Sequence, residues 1–170
     1  MTIRIAVKKD VPYIVHLLNL AYRGETSRQG WTTEADLIAG DVRTDEASVI
    51  KVMEQPGSVI LKCCDENETI IGTVNLQQQG SCIYLGMFAV APHLQGKGIG
   101  KQMLEAAEIH ARNSGCITIY MHVISVRKEL IDWYCRYGYR DTGERKPFAE
   151  DGLTGKHLQP LEFAVLEKAV

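Results

Sequence analysis

A chain of 170 residues, 45% of them hydrophobic, can bury one substantial core and leaves little for a second, so residues 1–170 are expected to form a single domain. Its 19 Lys and Arg stand against 21 Asp and Glu with no basic block or stripe, which argues against nucleic acid as a partner. Five cysteines without zinc-ligand spacing, an N-terminus without an apolar h-region and no run of 18 apolar residues argue against a metal centre, export or a membrane span, and point to a cytoplasmic protein with reduced thiols.

Ile3 to Val7 alternates and reads as a strand. Asp10 is placed to cap a helix that carries Pro12 in its first turn, repeats Ile14, Leu17, Leu18 and Ala21 on one face, and runs to about Arg23. Gly24 to Gly40 reads as a polar loop with a short helix beginning after Thr33, and a further helix is predicted from about Thr44 to before Pro56. Val59 to Cys64, Thr69 to Leu76 and Cys82 to Ala91 form an expected antiparallel meander, in which the adjacent Cys63 and Cys64 face opposite sides. A helix over Gly98 to Asn113 and a strand over Cys116 to Val123 follow. Arg127 to Tyr137 reads as an amphipathic helix with Leu130, Trp133, Tyr134 and Tyr137 on one side. Tyr139 to Thr142 and Leu161 to Leu166 look like the last strands, separated by a loop long enough to be functional or mobile. This order implies an α/β layer architecture around a mixed sheet with helices on both faces.

The segment from Tyr84 to Gly100 is a strand, a glycine turn and a helix start, a pattern in which main-chain N–H groups and the helix dipole converge on a phosphate. It is not a Walker loop, because Gly98 follows Lys97 and Ala91 stands where the first glycine belongs. It is not a dinucleotide fingerprint either, since the third glycine falls on Lys101 or Met103.

Gln95-Gly96-Lys97-Gly98-Ile99-Gly100, read as Q/R-x-x-G-x-G/A after Val90-x-Pro92, resembles the pyrophosphate motif of the GNAT acyltransferases. The run Leu130 to Tyr139, with Tyr134 four residues before Gly138-Tyr139, resembles that family's C-terminal motif. The resemblance spans nearly the whole chain and implies a splayed central sheet and an N-acetyltransferase that uses acetyl-CoA and an amine acceptor. It also implies that the pantetheine arm pairs with the main chain along Phe88, Ala89 and Val90, and that the pyrophosphate sits on Gly96, Gly98, Ile99 and Gly100 with Gln95 bracing the turn. Lys97 and Lys101 are placed to favour phosphate charge, and the oxyanion is expected on the N–H of Phe88 or Val90.

Tyr134 matches the family tyrosine that serves as general acid to the CoA sulfur. No carboxylate stands in Ser81 to Tyr84 to act as base, which leaves His122 as a candidate, with Glu25, Glu34 and Asp36 as alternatives acting through water. Arg127 replaces the Asn with which many members contact CoA, and could reach a phosphate or a substrate carboxylate. Trp31, with Glu25 and Glu34, is a candidate lining of the acceptor pocket beside Tyr22. A non-catalytic acyl-CoA sensor is the second reading, and exposed edge strands make a homodimer a further expectation.

Overall fold

Apolar residues that recur on the helix faces and along the strands meet in one cluster of 30 buried side chains running from Ala6 to Leu166. The computed structural model describes residues 1–170 and arranges them as β1 (Thr2–Ile5), α1 (Val11–Tyr22), α2 (Gly24–Ser27), β2 (Ile38–Ala39), α3 (Glu46–Met53), β3 (Ser58–Cys64), β4 (Ile70–Gln79), β5 (Cys82–Val90), α4 (Ile99–Asn113), β6 (Thr118–Ile124), α5 (Lys128–Arg136), β7 (Arg140–Pro147), β8 (Lys156–His157) and β9 (Glu162–Ala169). Seven strands form a mixed sheet in the order β1-β3-β4-β5-β6-β9-β7, flanked by helices, while β2 and β8 pair separately. Every neighbouring pair in the large sheet is antiparallel except β5 and β6, which α4 connects as a parallel crossover. No helix is long and apolar enough to cross a membrane.

The expected apolar face of α1 is the one buried: Ile14, Leu17, Leu18 and Ala21 all lie in the core. Each such aliphatic burial contributes about 1.5–3 kcal/mol relative to exposure. Asp10 does not cap α1 as its position suggested. Its carboxylate reaches back to accept from Val7 N (2.8 Å) and out to Lys62 Nζ on β3 (2.8 Å), so it ties the start of α1 to the sheet. In α3 the cap is conventional, with Asp45 Oδ1 accepting from Ser48 N at 2.8 Å.

Two further expectations are corrected. Residues 34–38 form a turn, in which the N–H groups of Leu37 and Ile38 both donate to Glu34 O, and the short helix lies earlier, at Gly24–Ser27. The long loop after Thr142 is partly ordered: β7 continues to Pro147, and β8 pairs Lys156 with Ala39 and His157 with Ile38. Arg23 Nε also donates to Thr154 O (3.0 Å), so this loop is stitched to the segment that follows α1.

Burial alone would raise the Asp10 and Glu34 carboxyls, but Lys62 and the Val7 N–H at Asp10, and Arg127, Arg43 and Arg23 at Glu34, hold both below the usual carboxylate range. A carboxylate depressed in the folded state adds stability above its unfolded value and loses it as pH falls through the folded one. Thermal midpoints measured across pH should therefore stay level from pH 7 to about 5 and fall steeply below about pH 4.

Candidate active site

β5 and β6 pair only where Cys82, Ile83 and Tyr84 face Thr118, Ile119 and Tyr120; past Tyr84 the two strands part. The cause lies on the other edge of β5. Thr73 and Asn75 of β4 oppose Ala89 and Gly86, so β5 carries one extra residue there, and Met87 in that bulge has a φ of 50°. A non-glycine residue in the left-handed region costs about 1 kcal/mol or more, and a bulge bends its strand. A wedge opens as a result.

Ala91 N donates to Ile71 O on the β4 side (2.8 Å), so by strand alternation the N–H and C=O groups of Phe88 and Val90 point into the wedge. Both carbonyls are already engaged: the Tyr22 hydroxyl donates to Phe88 O, and Gln95 Nε2 donates to Val90 O at 3.1 Å. The strand therefore presents two N–H groups rather than a complete ladder edge.

Beyond Val90 the chain turns through Gln95 to Gly98 into α4, a helix of 15 residues. Gly96 and Gly98 have φ of 80° and 85°, and a Cβ on either would meet nothing within 4 Å, so backbone conformation is what requires glycine there. Gly100 is different, because a Cβ would come within 3.2 Å of the Trp133 ring. The turn thus opens its N–H groups to solvent at the positive end of a helix, a natural seat for an anion. Lys101 lines the adjoining cavity, whereas Lys97 is exposed beside the turn and Ile99 is buried beneath it.

The Gln95 side chain does more than brace the turn. Its Oε1 accepts from Trp31 N (3.1 Å), so one amide joins the glycine turn, the end of β5 and the loop after α2. A Cβ at Gly30 would come within 2.6 Å of Gln95 Cδ.

A cavity of about 230 Å³ fills the wedge between this turn and α5. Phe88, Ala89, Val90, Gln95, Gly96, Gly98 and Gly100 line one side, and the helix face of Leu130, Trp133, Tyr134 and Tyr137 lines the other. Trp31 and Tyr22 also line it, Trp31 beside Gln95 and Tyr22 beside Phe88, with the Trp31 and Trp133 ring centroids 6.3 Å apart. The α5 face read as amphipathic thus serves as cavity wall, and Tyr134, Trp31 and the predicted cofactor residues other than Lys97 and Ile99 line this single space.

Tyr134 is 5% exposed and packs against Phe88, Trp133 and Tyr139 at centroid distances of 6.2, 5.2 and 5.7 Å. Burial pushes its hydroxyl well above the ordinary phenol value, reinforced by Tyr22 and Tyr139 and opposed by Arg127. It is therefore a protonated donor throughout the neutral range.

The acidic candidates lie elsewhere. Glu25 is exposed and paired with Arg28 (3.2 Å), as is Asp36 (2.9 Å). Glu34 is buried behind the cavity wall: Oε1 accepts from Arg23 Nη1 (2.5 Å) and Oε2 from Arg127 Nη1 (2.8 Å). With both oxygens occupied and its acidity raised, it is a poor base. Arg127 lines the cavity, but its Nη1 and Nη2 are committed to Glu34 and Thr32 Oγ1 (2.6 Å). His122 stands two residues past the last β6 residue paired with β5, still laddered to Val165 of β9, in a ring cluster with Tyr84 (5.2 Å), Phe163 (5.7 Å) and Tyr120 (6.1 Å), outside the cavity lining. Burial lowers its imidazole below the ordinary value, with Lys146 adding and Glu144 opposing.

Sequence reasoning missed Met87, Gly30, Thr32, Arg23 and Arg43. None of them belongs to a short motif, and the two arginines sit in a polar stretch that reads as solvent-facing. No group of three or more His, Cys, Asp or Glu side chains has metal-holding geometry.

Residues 14–139 match the family described as Acetyltransferase (GNAT) family. The chain is 36% identical over 63 residues to a protein named "Probable spermine N(1)-acetyltransferase" from Bacillus subtilis subsp. natto (strain BEST195), a stretch covering 36% of this chain and 41% of that relative, less than half its length. The ribosomal-protein-S18-alanine N-acetyltransferase of Escherichia coli superposes with a TM-score of 0.74 at 14% identity, over 99% of this chain and 93% of that one. The ribosomal-protein-alanine N-acetyltransferase of Brucella melitensis gives 0.73 at 16% identity over the whole of both chains. At such identities the likeness is one of fold.

Proposed function

Since this chain belongs to the acetyltransferase (GNAT) family, we propose that it transfers an acetyl group from acetyl-CoA directly to a primary amine of a small molecule or peptide, in a ternary complex and in the cytoplasm. The observation that carries this reading is one cavity lined by the glycine turn, by Phe88 to Val90 on the splayed strand and by Tyr134.

The residues fit coenzyme A chemically. The N–H groups of Gly96, Gly98, Ile99 and Gly100 hold the diphosphate, Lys97 and Lys101 add positive charge, and the apolar channel along Phe88 to Val90 takes the pantetheine arm. The bound thioester supplies the activated acyl group. Val90 N–H hydrogen-bonds the arm. Phe88 N–H, nearer the point where the strands part, donates to the carbonyl oxygen as its charge grows. The Tyr134 hydroxyl gives its proton to the sulfur that leaves, and the burial that raises its pKa keeps that proton in place until then. His122, which its surroundings keep neutral at pH 7, takes the proton from the amine through water on the β6 side of the wedge. Trp31 and Tyr22 form the floor on which the acceptor meets the thioester.

Isothermal calorimetry with acetyl-CoA tests the cofactor half of this reading. Saturable binding is expected, and Gly98→Ala should weaken it about tenfold, because the left-handed turn then carries roughly 1–2 kcal/mol of strain. Folded protein that gives no binding heat at millimolar acetyl-CoA would remove the proposal.

A further inference from the structure

Beside the cavity, the segment after α1 gathers more positive charge than it balances. Arg23, Arg43 and Arg127 all act on one carboxylate, Glu34, which Arg23 and Arg127 also bind directly. Arg43 forms no ion pair; its guanidinium lies 4.5 Å from the centroid of the Tyr22 ring. It is held there by its own backbone, since Asn19 Oδ1 on α1 accepts from the N–H groups of Arg43 (2.6 Å) and Thr44 (3.0 Å). The half-exposed Glu129 stands 3.8 Å from Arg127 Nε, beyond hydrogen-bond reach.

The chain buries six side-chain polar atoms without a partner, and three of them are on these arginines: Arg23 Nη2, Arg43 Nε and Arg127 Nε. A buried guanidinium N–H without an acceptor is costly, and an uncompensated buried charge more so. Two of the three groups bear on the cavity: Arg127 lines it, and Arg43 lies over Tyr22, which also lines it. The field of Arg43 reaches Tyr84, the residue at which β5 and β6 part. The diphosphate has its own seat on the glycine turn, so this second concentration of charge needs another anion.

We propose that Arg43, backed by Arg127 and Arg23, receives an anionic group on the acceptor, so that the enzyme prefers an amine that also carries a carboxylate or a phosphate to an amine without an anionic group or a polyamine. This rests on the acetyl-transfer reading and narrows its substrate class. A guanidinium fork matches a carboxylate or a phosphate ester, and both belong to the same chemistry here. Tyr84, Tyr120 and His122 form the neighbouring wall, which suits an acceptor with an apolar or aromatic body. A polyamine would instead bring its own positive charges to an excess of arginine.

The test uses matched acceptors with the intact protein: phenylalanine against phenylalaninamide, and 2-aminoethyl phosphate against ethanolamine, with spermidine as the cationic member. Two quantities are read, calorimetric affinity in the presence of CoA and kcat/KM for thiol release with acetyl-CoA. The anionic partner of at least one pair should be favoured by about 10- to 100-fold in affinity, the range expected of a hydrogen bond to a charged group. The carboxylate pair and the phosphate pair tell the two anions apart. Arg43→Gln should bring the favoured acceptor down toward its partner without the anion while acetyl-CoA affinity stays within about twofold. Equal affinity within both pairs, or spermidine binding best, overturns the inference. So does a loss of acetyl-CoA affinity in Arg43→Gln, which would assign the charge to the cofactor. If the anionic acceptor binds preferentially yet no thiol is released, the inference stands and the transfer reading fails.

Discussion

Tyr134→Phe is expected to lower kcat for thiol release by about 100-fold or more, the usual size of a general-acid contribution, while acetyl-CoA affinity changes less than about twofold. The substitution keeps the ring that packs on Phe88, Trp133 and Tyr139 and removes only the hydroxyl. The thermal midpoint should therefore hold, which separates a chemical role from a packing one. The pH profile supplies a second check. A group that acts while protonated is lost only above its pKa, and burial, with Tyr22 and Tyr139 adding and Arg127 opposing, has moved that of Tyr134 well above 10. Activity should show no alkaline decline from this residue up to pH 10. Unchanged turnover in the phenylalanine variant would exclude Tyr134 as the proton donor.

The second large effect is on stability. Glu34→Gln keeps the shape of the side chain but removes the only charge that both Arg23 and Arg127 bind directly, and those guanidinium groups are 0% and 5% exposed. Removing one member of a buried ion pair costs about 3–5 kcal/mol, because the remaining charge stays desolvated. For a chain of this size that lowers the melting temperature by roughly 6–20 °C. The variant should also lose part of the acid sensitivity of the parent, since it has no depressed carboxylate at this site to protonate. A melting temperature within about 2 °C of the parent would mean that solvent already screens the triad.

The parts of this molecule that were legible in its residues are those governed by local rules. The faces of α1 and α5 follow from 3.6-residue periodicity, and the glycine turn before α4 follows from the positions of Gly96, Gly98 and Gly100. Those rules also located the cavity, because the motif residues at the turn and on α5 face each other across it. What escaped depends on distant partners. Arg23 and Glu34 are 11 positions apart and Arg127 is 93 from Glu34, so nothing in their neighbourhoods distinguishes a buried triad from three solvated side chains. Residues 34–38 carry helix-forming side chains, yet Ile38 is drawn into a ladder with His157, and a two-residue strand has no periodicity to read. β7 was placed too short because its outer residues are mostly exposed and polar, as befits an edge strand. Met87 offered no signal at all, since a positive φ is ordinarily announced by glycine, and here glycine is its neighbour Gly86.

The three-rung junction of β5 with β6 has one further consequence. It divides the sheet into two leaves, β1-β3-β4-β5 and β6-β9-β7, whose backbones meet only along that short spine. A molecule lying in the fork touches both leaves and binds them like a clasp. Occupancy should then add to cohesion by mass action, about 2.7 kcal/mol at a ligand concentration one hundred times its dissociation constant, and amide exchange should slow on both leaves together rather than only around the glycine turn.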